Sequence, residues 1–168
     1  MVGMGGSAGG LPALLAVLEN VDSDAALAVV VVLHLAPDQE SHAAEILQRA
    51  TSMVVVQVKE RTLLKAGHVY VIAPGTNLIT DDGHLQPRAA RTQRPSQVID
   101  LFFRSLGEVH RERAVGVVLS GTGKDGSLGI TRIKECGGCT IAQAPEDCEH
   151  EDMPRAALAT GAIDLSLP

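Results

Sequence analysis

The sequence predicts an α/β domain: a doubly wound, mostly parallel sheet with helices on both faces and a small antiparallel hairpin insertion. Three observations predict it. Continuous apolar runs such as Ala28-Val-Val-Val-Val-Leu33 and Ala114-Val-Gly-Val-Val-Leu119 lack the polar alternation of a half-exposed strand, and suit parallel strands covered on both faces. Between such runs stand segments with apolar residues at helical spacing, as in Leu11, Leu14, Leu15, Leu18 and Val21. The chain also opens on a short apolar strand that breaks into glycines, Met1-Val-Gly-Met-Gly-Gly-Ser-Ala-Gly-Gly10, and runs at once into a helix. That join is how β–α units begin.

Each element has its own reason. Pro12 fits a first helical turn, where its missing N–H would be unpaired anyway. Ser41 offers a hydroxyl to cap a helix carrying Ile46 and Leu47, and Val54 to Val58 reads as a third strand. The character then changes. Gly67-His-Val-Tyr-Val-Ile-Ala-Pro-Gly75 and Asn77-Leu-Ile-Thr80 are β-like, and Asp82-Gly83 is a hairpin signal. This stretch is expected as the antiparallel insertion beside the main sheet. Arg88, Arg91 and Arg94 are expected in a loop ending at Pro95, with Ser96 capping a helix through Val98, Leu101, Phe102, Leu106 and Val109. The alternating pattern returns with the Ala114–Leu119 strand, the loop Ser120-Gly-Thr-Gly-Lys-Asp-Gly126, and a helix over 128–136 stopped by Gly137-Gly138. A short strand Thr140-Ile-Ala142, an acidic loop, a helix opened by Pro154 and ended at Gly161, and a strand over 163–167 close the domain.

Composition bounds the rest. With 168 residues, 45% hydrophobic and 20% charged, the chain suits one well-buried domain over 1–168. At 2% aromatic and without Trp, its core must be built from Val, Leu, Ile and Ala. A net charge of −6 argues against a nucleic-acid partner. No apolar run approaches the roughly 20 residues of a membrane span, and no signal peptide is visible. Three cysteines, an odd number, suit a reducing cytoplasm better than a disulfide framework.

Within the opening stretch, Gly5-Gly6-Ser7-Ala8-Gly9 satisfies the nucleophile-elbow pattern G-x-S-x-G. A serine at a sharp strand-to-helix turn needs neighbours without side chains, because the backbone is strained and the elements pack closely. The helix N-terminus behind it offers N–H groups to a developing oxyanion. Gly3-Met-Gly5-Gly-Ser-Ala8 also fits the dinucleotide fingerprint G-x-G-x-x-G/A. That reading wants a carboxylate at the end of the second strand, and His34 stands there instead. A glycine-rich turn with an incidental serine is the third reading.

In doubly wound domains, sites gather outside the carboxyl ends of strands. Ser7 follows strand one, His34 follows strand two, and Asp125 lies in the loop after the Ala114–Leu119 strand. A hydroxyl, a base and an orienting carboxylate are the set that activates a serine. Their order differs from that of α/β-hydrolases, where the acid precedes the histidine. Asp125 could equally be the N-cap of the helix that follows it. A phosphate loop at Gly121-Thr-Gly-Lys124 fails, since it needs Gly at Val118 and Ser or Thr at Asp125. Cys136, Cys139, Cys148 and His150 could be written as a zinc set, but a helix ending at Cys136 with two glycines behind it explains the spacing more simply.

Taken together, Gly5-Gly-Ser-Ala-Gly-Gly10, His34-Leu-Ala-Pro37, Val118-Leu-Ser-Gly-Thr-Gly-Lys-Asp-Gly126, Thr140-Ile-Ala-Gln143 and Met153-Pro-Arg155 resemble the catalytic domain of the chemotaxis protein-glutamate methylesterases. The wording is most similar to members fused with a receptor methyltransferase. The resemblance implies a cytoplasmic serine hydrolase that removes methyl esters from glutamates on chemoreceptor signalling helices, often with glutamine deamidation. It implies Ser7 as nucleophile, His34 as general base and acid, and Asp125 as the orienting carboxylate. Ala8, Thr122, Gly123 and Met153 are implied at the oxyanion and substrate-binding positions, with no metal or organic cofactor. The receiver domain that commonly precedes such a domain is not in this sequence. Ala8 replaces the Thr of some members, and Asp152 stands where Gly often precedes Met-Pro-Arg. A catalytically weak regulatory or docking module on the same fold is the alternative.

Overall fold

The computed structural model describes residues 1–22, 24–35, 41–89 and 97–168. Its elements run β1 (Val2–Gly6), α1 (Gly10–Glu19), β2 (Ala28–Leu33), α2 (Ala43–Gln48), β3 (Val54–Val58), β4 (Thr62–Leu63), β5 (His68–Ile72), β6 (Thr76–Asp81) and β7 (His84–Ala89). They continue with α3 (Val98–His110), β8 (Val115–Val118), α4 (Ser127–Glu135), β9 (Cys139–Gln143), α5 (Asp152–Ala159) and β10 (Leu165–Leu167). Seven strands form one parallel sheet in the order β10-β9-β8-β1-β2-β5-β3, and β4-β7-β6 form a separate antiparallel sheet. The chain winds outward from β1 in both directions, so the switch point lies where β1 has β2 on one side and β8 on the other.

One part of the middle differs from expectation. His68–Ile72 does not belong to the antiparallel insertion: β5 pairs in parallel with both β2 and β3, inside the main sheet. Its Val69, Tyr70, Val71 and Ile72 are all buried, which is what a continuous apolar run in a parallel strand means. The hairpin signal at Asp82-Gly83 joins β6 to β7, with both residues at positive φ as a type I′ turn requires. Arg88 lies in β7, paired with Asn77, rather than in a loop. Arg91, Arg94, Pro95 and the capping role of Ser96 lie outside the described residues, as does Pro37.

The two faces of the sheet carry separate cores. Val30 and Val32 of β2 point toward α3, α4 and α5, packing with Phe102, Phe103, Leu106, Ile130 and Ile133. Val29, Val31 and Leu33 point the other way, to Leu14 and Leu18 of α1 and Leu47 of α2. Each such fully buried side chain stabilises the fold by about 1.5–3 kcal/mol. On the same alternation, Met4 of β1 joins the α1 core while Gly3 and Gly5 face α3. A Cβ on Gly5 would stand 2.3 Å from Ile99 Cγ2, and one on Gly3 2.7 Å from Leu106 Cδ2. Those two glycines admit α3 onto the strand.

Helix ends follow the expected chemistry with small shifts. Gly137, at φ +86°, donates its N–H to Lys134 O and Gly138 donates to Ile133 O, closing α4 as a Schellman motif. Ser41 Oγ accepts the N–H of Ala43 at 3.2 Å, one residue ahead of the N-cap His42. α5 starts at Asp152, so Pro154 lies inside the first turn rather than at its start, where it still costs no hydrogen bond. On the α1 face of β8, β9 and β10, Val2, Val115, Val117, Ile141 and Leu167 line an apolar groove of about 460 Å³. No helix among the described residues is long and apolar enough to cross a membrane.

Candidate active site

The carboxyl ends of β1, β2 and β8 are tied together by their backbones before any side chain is considered. Leu119 N–H donates to Gly5 O at 2.8 Å and Ser7 N–H to Ser120 O at 3.0 Å. His34 N–H donates to Gly6 O, continuing the β1–β2 ladder by one residue. Ser7 is not at positive φ. The left-handed conformation falls on Gly9, at φ +73°, which caps α1. The turn is therefore not a strained elbow at the serine. Its tightness is met two residues later, where a Cβ would stand 2.7 Å from Ser120 Oγ and from Glu149 Cβ. Glu149, in the acidic loop, thus borders the serine turn with its carboxylate in solvent.

The structure brings Ser7, His34 and Asp125 into one chain of contacts. Ser7 Oγ lies 3.2 Å from His34 Nδ1, and His34 Nε2 lies 2.8 Å from Asp125 Oδ2. Because an ionised carboxylate only accepts, His34 donates from Nε2 and presents a bare Nδ1 to the Ser7 hydroxyl. This reverses the ring relative to the serine-protease template, where Nε2 faces the serine. The His34 side chain is 25% exposed and that of Asp125 5%, so the imidazole can meet a ligand while the carboxylate bonded to it is sealed from water.

Asp125 does cap a helix, but not the one that follows it. α4 has Gly126 as its N-cap, with no side-chain cap bond. The Asp125 carboxylate instead accepts two N–H groups from the start of α3, Ile99 to Oδ2 at 3.0 Å and Asp100 to Oδ1 at 2.9 Å. Gly5 allows this, because the approach of Ile99 to β1 brings the head of α3 to the site. Asp100 returns the favour by accepting the N–H of Gly129, in the first turn of α4, at 2.7 Å. Burial pushes the Asp100 carboxyl above the usual range, and the neighbouring charge of Asp125 adds to the push against the backbone N–H groups that favour ionisation.

Of the other expected positions, Ala8, Thr122 and Gly123 are exposed, and their N–H groups have no acceptor among the described residues. Met153 differs. It is buried, and its N–H donates to Gly121 O at 3.0 Å, so it supports the loop from behind and offers a ligand no contact. Gly121 also spends its own N–H, on His150 O. A Cβ on Gly121 would stand 2.2 Å from Met153 Sδ and 2.9 Å from Ser7 Cβ. Gly121→Ala should therefore displace Ser7, costing about 1–3 kcal/mol of stability and at least ~10-fold in turnover. Thermal melts alongside ester hydrolysis check this, and wild-type turnover would show that the loop yields without moving the serine.

Two supporting residues went unmarked in the sequence reading. Ser120 Oγ accepts the N–H of His150 at 3.0 Å and lies within donating distance of both Ala8 O and His150 O. Gln143 Oε1 accepts the N–H of Ser120 at 2.9 Å, while its Nε2 donates to Asp147 O. Together they bind the loops after β1, β8 and β9 into one floor. His150 thus contributes through its backbone. Cys136, Cys139 and Cys148 are free thiols, and among the described residues no group of three His, Cys, Asp or Glu side chains is placed to hold a metal. Burial, with nearby Asp147, Glu151 and Glu146, pushes the Cys148 thiol up, away from the thiolate that zinc needs.

Comparison with known proteins agrees with this architecture. The family model described as CheB methylesterase matches residues 2–168. The chain belongs to the CheB methylesterase family. The crystal structure of the Thermotoga maritima CheB methylesterase catalytic domain superposes with a TM-score of 0.89 at 27% identity, over 99% of this chain and 91% of that one. A protein-glutamate methylesterase/protein-glutamine glutaminase of Rhizobium etli is 32% identical over the whole chain, which spans 50% of that relative. The one from Agrobacterium fabrum is 33% identical, and the chain spans 49% of it. An uncharacterized 104.1 kDa protein of Rhodobacter capsulatus is 42% identical over 124 residues, 74% of this chain and 13% of that protein. The CheB fold thus occurs in chains of very different length.

Proposed function

We propose that this CheB-family domain is a serine hydrolase that cleaves the methyl esters of glutamate side chains on chemoreceptor signalling helices. The observation that carries the reading is the Ser7–His34–Asp125 chain at the switch point of the sheet, with unpaired N–H groups beside the serine. Ser7 Oγ attacks the ester carbonyl carbon as its proton passes to His34 Nδ1. The imidazolium is held at Nε2 by Asp125. The oxyanion falls between the N–H of Ala8 and that of Thr122 or Gly123, donors of a kind worth about 3 kcal/mol each. His34 then gives the proton to the departing methoxide oxygen, and methanol leaves. Water repeats the sequence at the acyl carbon, returning its proton through His34 to Ser7 and freeing glutamate. The same steps on a glutamine amide release ammonia, which fits the double name of the relatives.

The Ser7–His34 contact of 3.2 Å is long for an active base and is of the kind that tightens once substrate is bound. A fluorophosphonate probe should label the protein at Ser7. Methanol should be released from receptor helices carrying methylated glutamates. A folded protein that neither labels nor releases methanol would instead be a docking module that keeps the fold without the chemistry.

A further inference from the structure

Asp100 is a buried carboxylate that the proposed reaction does not touch, and it is bonded to the residue that orients the base. Its backbone N–H reaches Asp125 Oδ1, while its own Oδ1 holds the N–H of Gly129. The N–H groups of Gly126 and Leu128 also favour its carboxylate. The two aspartates therefore cap each other's helices, Asp125 the start of α3 and Asp100 the start of α4. The contact has little slack. A Cβ on Gly129 would stand 2.8 Å from Asp100 O, and one on Gly107 3.0 Å from Ile133 Cα.

We propose that Asp100 is a positioning residue for the Ser7–His34–Asp125 chain, locking the head of α4 to α3 so that Asp125 meets His34. This rests on the hydrolase reading above. Among the described residues, the ionisable group bonded to Asp100 is Asp125, through the Asp100 N–H. The strands β1 and β2 under α3 carry no ionisable side chains. Asp81 of β6 and Arg132 of α4 belong to the far half of α3, where Thr80 meets Ser105 and His110 and Arg132 meets Glu108.

Asp100→Ala loses the acceptor for Gly129, and its kcat for methanol release should fall ~10-fold with KM unchanged, at a temperature where the variant is folded. Asp100→Asn keeps an oxygen for Gly129 and should restore most of that loss, because an amide oxygen caps about as well as a carboxylate. A folded Asp100→Ala protein with wild-type kcat overturns the proposal, as does a loss confined to KM. Should Asp100→Ala not fold, Asp100→Glu decides: its longer side chain pushes the head of α4 away from α3, and wild-type kcat in that variant overturns the positioning role. Failure of the hydrolase reading is separate, because it appears as wild-type protein without turnover.

Discussion

Ser7→Ala should lose about 10⁵–10⁶ of its methanol-releasing turnover while melting within a degree or two of wild type. The first half follows from the proposed chemistry: once the nucleophile is gone, His34 and Asp125 have nothing to activate, and such sets lose nearly everything when the serine alone is removed. The second half follows from where Ser7 spends its bonds. Its structural contacts are backbone ones, the N–H to Ser120 O and the carbonyl from Gly10 N–H, and both survive truncation to Ala. The side chain is half-buried, and among the described residues its hydrogen-bonding partner is His34 Nδ1. Loss of activity without loss of stability would therefore assign chemistry to the hydroxyl. A folded Ser7→Ala protein with near-normal turnover would remove Ser7 from the mechanism, whatever its distance from His34.

The sequence placed Ser7, His34 and Asp125 at three strand ends because the strands that carry them are unbroken apolar runs, and such runs leave only their ends for chemistry. The winding from β1 to either side was legible for the same reason. What was not legible is how loops and helices borrow from one another across the sheet. β5 was misplaced because a hairpin signal stands just after it, and proximity in sequence outweighed its Val-Tyr-Val-Ile core. The capping alternative for Asp125 points to the helix that follows it, because capping is usually local. Its actual donors are 25 and 26 residues away in sequence, on α3, and only packing brings them to it. Asp100 carries no local signal at all. In sequence it is an acidic residue in the first turn of a helix, which is ordinary. Gly5 fits the elbow pattern and Gly3 the dinucleotide fingerprint, yet both admit α3, which is what delivers Ile99 and Asp100 to Asp125.

That rearrangement of partners changes what Asp125→Asn should do. Turnover should fall by ~10⁴, the loss seen when the matching aspartate of serine proteases becomes an amide. A neutral amide holds the Nε2–H tautomer only while its oxygen faces His34, and in neither orientation does it supply the charge that stabilises the imidazolium. Had Asp125 capped only its own helix, an amide would have served nearly as well, and stability would have been unchanged. Here the carboxylate accepts three donors, His34 Nε2 and Ile99 N–H on Oδ2 and Asp100 N–H on Oδ1. An asparagine has one acceptor oxygen. Whichever way it turns, its NH₂ meets a buried N–H, and an unsatisfied buried donor costs about 1–3 kcal/mol. Relief of the repulsion with Asp100 offsets part of this, so the melting temperature should drop by roughly 2–4 °C per kcal/mol that remains in a chain of this length. Asp125→Ala loses every acceptor and should melt lower still, with turnover no better than that of the amide. Circular dichroism melts and methanol release on the two variants separate the roles. If Asp125→Asn melts low but turns over normally, Asp125 is a cap for α3 and nothing more, and His34 must take its orientation from another group.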